Sequence, residues 1–156
     1  MDKNRWFPCE PMREKRNNHS SCVLGDKIYV SGGNDSSIEL AFCSKLIAGE
    51  GYWMMCRGVS YYAYMHVFSP ISSHEILIMN NKDVSIFDTR RKTIENVATL
   101  TFDVRCENNQ SVMIRDGKVL MLVRDCKTEE YKIVSYTKGQ DKLVEIKDFP
   151  RGRHGD

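Results

Sequence analysis

The sequence predicts an all-β chain in which one small antiparallel sheet of four strands is built about three times over. Three observations predict it. A strand core recurs as Ile28-Tyr29-Val30, Ile76-Leu77-Ile78 and Val119-Leu120-Met121, with steps of 48 and 43 residues. Each core follows a polar turn, Gly25-Asp26-Lys27, Ser73-His74-Glu75 or Asp116-Gly117-Lys118, and each turn follows another short strand. Apolar stripes at i, i+3 and i+4, which helical repeats of this length need, are missing. A period of about 40 to 50 residues filled with short strands is the length of a four-stranded propeller blade. About three such blades leave a ring incomplete.

The elements follow in order. Trp6 stands 47 residues before Trp53, so residues 1–12 read as the end of a preceding blade. Residues 13–58 form the first full copy. In it Ser20, Cys22 and Leu24 alternate with Ser21, Val23 and Gly25, and Ile28 and Val30 flank Tyr29, which makes a hairpin with one buried face. Gly25-Asp26 supplies the reversal, because a two-residue hairpin turn favours residues that tolerate positive φ. Gly32-Gly33 ends the second strand where a side chain would obstruct the backbone. Third and fourth strands are expected over Ile38–Cys43 and Tyr52–Cys56, around the turn Gly49-Glu50-Gly51. The second copy, residues 59–104, places strands at His66–Pro70, Ile76–Ile78, Val84–Asp88 and Thr93–Val97. The third, residues 105–150, is degenerate and places them at Ser111–Ile114, Val119–Met121, Tyr131–Tyr136 and Lys142–Ile146. Residues 151–156, with His154, begin a further copy.

Composition narrows the function. With 23 basic and 21 acidic side chains the formal charge is +2, without the concentrated excess of Lys and Arg that a nucleic-acid-binding protein shows. No apolar run approaches a bilayer span, and the start MDKNRWFPCEP lacks the apolar core of a secretory signal. A cytoplasmic, reducing setting is expected. The six cysteines include no CxxC pair, so no zinc site is implied; a disulfide framework would need a secreted protein, for which there is no signal, and Cys22 reads as a small buried hydrophobe.

Arg16, His19, Gly32, Gly33 and Trp53 stand at the places where kelch repeats carry an Arg and His before the first long strand, a Gly-Gly pair after the second, and a Trp about twenty residues later. The sequence thus resembles a segment of a kelch-repeat β-propeller. More narrowly, Trp6, Pro11-Met12, Arg16, Ile28-Tyr29-Val30, Gly32-Gly33 and Ser37-Ile38-Glu39 resemble the blades of BTB-kelch proteins. That resemblance implies substrate recruitment to cullin-type ubiquitin ligases, although nothing here resembles a BTB domain. The second copy keeps His66 but carries Asn80-Asn81 in place of the glycines, a mild departure because Asn tolerates left-handed geometry. The third has Val123-Arg124 there, Gln110 near the His position, and no Trp.

His19 and His66 occupy the same register, and recurring polar residues at one register favour for Arg16 and His19 a structural role satisfying backbone groups between blades over catalysis. Gly32-Gly33 is no phosphate loop, since no GxxxxGK follows. His74-Glu75 and Arg90-Arg91-Lys92 read as solvated turns. Tyr61, Tyr62, Tyr64 and Met65 precede the His66 strand, where the chain passes between blades, and aromatic residues in such loops are common binding anchors. Tyr62 and Tyr64 also share one face of an extended segment, so core packing competes for them. No catalytic residue, metal ligand or cofactor is expected.

The function expected is protein–protein interaction, with Ser36, Tyr61, Tyr62 and Lys82 the first candidates for partner contact. A propeller enzyme fragment of the oxidase or epimerase type, and a truncated non-functional kelch remnant, are the alternatives. A copper radical oxidase would need clustered Tyr, His and Cys ligands, whereas the four His are scattered. Three blades leave edges and faces uncovered, so either self-association or further blades complete the ring.

Overall fold

A run of four apolar residues, Ile76-Leu77-Ile78-Met79, lies at the heart of the molecule. In a strand successive side chains point to opposite faces, so such a run has to be covered on both. All four are fully buried. The computed structural model describes residues 8, 10–12, 15–32, 39–44, 53–60, 66–105, 111–114 and 117–146. Among these, every regular element is a strand.

Three antiparallel sheets form. The first contains β1 (Ser20–Leu24), β2 (Lys27–Ser31), β3 (Glu39–Ser44) and β4 (Trp53–Ser60), in chain order. The second contains β5 (Val67–Pro70), β6 (Glu75–Asn80), β7 (Asp83–Asp88) and β8 (Thr93–Thr99). The third adds β9 (Val104–Arg105) to β10 (Ser111–Ile114), β11 (Lys118–Asp125), β12 (Tyr131–Thr137) and β13 (Val144–Ile146). β10 pairs with the start of β11 and β9 with its end, so two short strands share one edge.

The sheets stack face to face, and the parity of each strand says which face goes where. Ile76 and Ile78 join Phe68 and Phe87 against Leu24 and Tyr29 of the first sheet. Leu77 and Met79, with Val67 and Val84, pack against Val119, Met121, Val123, Val134 and Tyr136 of the third. The second sheet is thus the filling between the other two. β1 lies beside β5, and β5 beside β10, so the first strand of each sheet sits innermost. That is the radial order of blades around a propeller axis.

Turn chemistry fixes the register. Leu24 pairs with Lys27 across Gly25-Asp26, and Gly25 takes φ 63°. Asn81 does the same work at φ 50° between paired Asn80 and Asp83, which bears out the tolerance of Asn for this geometry. Gly117 takes φ 70°, and a Cβ there would stand 3.0 Å from Lys138 Cβ and 3.5 Å from the Ile71 carbonyl oxygen. A Cβ on Gly25 meets nothing within 4 Å. Gly25→Ala is therefore expected to cost only left-handed backbone strain, about 1 to 2 kcal/mol. Gly117→Ala is expected to cost more, because Lys138 must also move. Urea unfolding of the two variants checks the order.

Some expectations shift. β4 runs on to Ser60 and not only to Cys56, because a register shift lets Glu39 pair with Ser60 after Leu40 has paired with Cys56. The segment boundary expected at 58 therefore falls inside this strand. The boundary expected at 104 cuts β9, which pairs forward into the third sheet. Residues 1–7, 9, 13–14, 49–51 and 151–156 lie outside the described residues, and with them the fragment assigned to a following blade and all but residues 8 and 10–12 of the one assigned to a preceding blade.

Candidate binding surface

Antiparallel connections alternate between the two ends of each sheet. The upper end carries the turns from first to second and from third to fourth strand. The lower end carries those from second to third strand, together with every passage from one sheet to the next. Upper turns are tied to one another. The Lys138 ammonium donates to a Glu75 carboxylate oxygen that also accepts from Ser72 Oγ at 2.5 Å. Thr89 donates to the His74 carbonyl through both its backbone N–H, at 2.9 Å, and its hydroxyl, at 2.8 Å. Burial raises the Glu75 pKa, but the bonds from Lys138 and Ser72 outweigh it and hold the carboxyl below its usual range.

The lower end is built differently. Arg16, before β1, donates from Nη1 to the Gly32 carbonyl after β2 at 2.8 Å, so it ties together the strand ends of its own sheet. Lys82, in the β6–β7 turn, accepts the Leu100 N–H at 2.8 Å, and its ammonium lies 4.0 Å from Asp103, both side chains being largely exposed. In the next sheet Arg124 pairs with Glu129 at 2.6 Å and lies 5.8 Å from the Tyr131 ring centroid. Asp125, almost fully buried, accepts from the Lys132 ammonium at 2.7 Å and from the N–H groups of Lys127 and Thr128 at 2.8 and 3.2 Å. The Lys132 bond, followed by that of Lys127, holds the Asp125 carboxyl down at about 2. The Lys132 ammonium also sits 4.2 Å from the Phe102 ring centroid, where cation–π attraction adds to the ion pair. Charge at this end is thus held in local pairs of opposite sign, Lys82 with Asp103 and Arg124 with Glu129, and forms no uniformly basic patch among the described residues.

Of the repeat residues, Trp53 donates from Nε1 to the Glu10 carbonyl at 2.7 Å, which ties Glu10 to the start of β4. His19 is exposed. His66 is fully buried, with its ring edge-on to Phe68 at 5.8 Å and no hydrogen-bond partner at either ring nitrogen. Its carbonyl accepts from Ser20 Oγ across the sheet boundary. The expected inter-blade satisfaction of backbone groups is thus made here by Ser20, while the imidazole acts as an apolar plug. Desolvation lowers the His66 pKa to about 4. Cys22 packs at the edge of the same core, where burial pushes the thiol up to about 12, as befits a small inert hydrophobe.

Of the partner candidates, Lys82 is at the lower end. Gly33, Ser36, Tyr61 and Tyr62 lie outside the described residues. The strand ends that bracket the last three, Ser31 and Glu39 for Ser36, Ser60 and His66 for the tyrosines, are at the same lower end as Lys82. Asp103, Arg124 and Glu129 escaped the sequence reading, since single charged residues in turns carry no pattern. Among the described residues no three His, Cys, Asp or Glu side chains gather as a metal site, and no helix is long and apolar enough to cross a membrane.

Stacked four-stranded antiparallel sheets with innermost first strands define a segment of a β-propeller. The kelch motif is matched over residues 15–44, which spans β1 to β3 and includes Arg16, His19 and Gly32. This supports a kelch-repeat protein. No curated protein matches the sequence.

Proposed function

We propose that the chain is a protein-interaction module of the cytoplasm, with one blade each made of β1–β4, β5–β8 and β9–β13, which takes its partner on the lower end. One observation carries the reading: the strand ends at this end lead into the passages between sheets, whereas the described upper turns of the second and third sheets are bonded to one another. Binding residues concentrate on loops positioned by a rigid scaffold. The kelch motif supports interaction with proteins in general. Ser36, Tyr61, Tyr62 and Lys82 are the contact residues, with Asp103 beside Lys82 at the rim. In its narrower form, supported by the BTB-kelch resemblance, the partner is a substrate delivered to a cullin-type ubiquitin ligase.

Proximity labelling in cells, with the chain fused to a biotin ligase, tests the surface. Joint alanine replacement of Ser36, Tyr61, Tyr62 and Lys82 is expected to cut labelling of specific partners tenfold or more, the loss of about one hot spot. Alanine at Arg90, Arg91 and Lys92 on the upper end is expected to leave it unchanged. Loss confined to the upper variant would assign the wrong end. A cullin among the labelled proteins supports the narrower form.

A further inference from the structure

The strand core repeats with its parity intact, so equivalent residues can be compared across sheets. Tyr29, Leu77 and Leu120 are the central residues of the three copies. Tyr29 is covered by the second sheet and Leu77 by the third. Leu120 faces outward, only half-buried, on the side where a following sheet would lie. Leu122, Ile133 and Val144 lie on the same outer face, since Leu122 pairs with Ile133, and both Leu120 and Val144 pair with Ser135.

The opposite end of the stack shows the complementary gap. Ile28, Ile76 and Val119 are equivalent and point toward the preceding sheet; Ile76 and Val119 are fully buried there, whereas Ile28 is 42 % exposed. Its cross-strand partner Val23 is 63 % exposed. His19 and His66 are equivalent as well, and the second is sealed beneath the first sheet while the first is exposed, with no preceding sheet over it among the described residues. Both outer faces thus keep apolar residues at positions that are interior in the second sheet, Ile28 matching the buried Ile76 and Leu120 the buried Leu77.

We propose that these two faces are the halves of one more inter-sheet contact, and that a second copy of this chain supplies it head to tail. The third sheet of each copy covers the first sheet of the other, and two copies close a ring of six sheets. The occupant is argued from the chain itself, which makes the same contact twice, each time between the following-side face of one sheet and the preceding-side face of the next. Repeating one rotation closes a ring, and six blades fall within the range of four to eight that propellers adopt. This inference rests on the stacking of the sheets and not on the binding role of the lower end, so either can fail alone.

Native mass spectrometry and sedimentation velocity of the 156-residue chain across a dilution series test it. The chain is expected to reach twice its own mass and stop there. Val23→Asp with Ile28→Asp, on one face, and Leu120→Asp with Leu122→Asp, on the other, are each expected to weaken association by roughly a hundredfold or more, since each buries unpaired carboxylates. Mixing the two variants restores a heterodimer, because one intact contact remains between them. Circular dichroism confirms that each variant keeps its strands. A wild-type chain that stays at one mass overturns the proposal whatever the variants do, and leaves the faces to other blades. Dependence on one face alone, as in self-paired patches, or growth without limit would overturn it equally.

Discussion

Phe87→Ala is expected to lower the unfolding free energy by about 3 to 5 kcal/mol, and Leu77→Ala by about 2 to 5 kcal/mol. Both residues are fully buried in the second sheet, but on opposite faces. Phe87 fills the space toward the first sheet with Ile76, Ile78 and Tyr29, and Leu77 fills that toward the third with Val119 and Tyr136 among its cluster. Each truncation leaves a cavity that neighbouring strands, held by their ladders, collapse into only partly. Domains of this size are stable by roughly 5 to 15 kcal/mol, so either loss is a large share of the total. The exposed Glu95→Ala is expected to change stability by no more than about 0.5 kcal/mol. Urea unfolding gives all three. Were only one core variant destabilised, the second sheet would not be the common element of both interfaces.

His66 gives the second large effect, read through pH. Its folded pKa, near 4, is depressed from an ordinary 6.5 because the charged imidazolium would lie in an apolar space with no acceptor. The unfolded chain therefore binds a proton that the folded one refuses. Stability is intact above pH 6.5, falls progressively from there to about 4, and levels off once both states are protonated. The full loss is about 3 kcal/mol from a difference of this size. Asp125 acts in a lower window: its depressed pKa loses the Lys132 pair as pH falls from 3.8 toward 2. His66→Leu is expected to remove the upper step and leave the lower one. It is also expected to be tolerated at pH 7, since it removes two buried, unpartnered nitrogens. Melting temperatures of both proteins from pH 7.5 to 2 decide the matter; parallel curves between pH 6.5 and 4 would show that His66 is not the group.

The fold was legible because its signals are local. Ile76-Leu77-Ile78, read as a strand core between a polar turn and Asn80-Asn81, becomes a strand buried on both faces with Asn81 at positive φ. The alternation of Cys22 and Leu24 with Val23 likewise tells the inner face of β1 from the outer. What escaped depends on pairs distant in sequence. Nothing in the spacing says that Lys138 reaches Glu75, that Arg16 serves Gly32, or that Ser20 bonds the carbonyl of His66. Val104-Arg105 was missed because two residues are too short for a period to show. The register equivalence of His19 and His66 was visible, but their opposite fates, one exposed and one sealed, follow from having or lacking a neighbouring sheet. That is a property of the stack.

The most direct test is the set of nuclear Overhauser contacts between methyl and aromatic protons of the three sheets. The predicted result is contact of Leu24 and Tyr29 with Ile76, Ile78 and Phe87, and separately of Val67, Leu77 and Met79 with Val119, Met121 and Tyr136. Contact of Ile76 or Ile78 with Val119 or Met121, or either set missing while the strands persist, would contradict the stacking on which everything else depends.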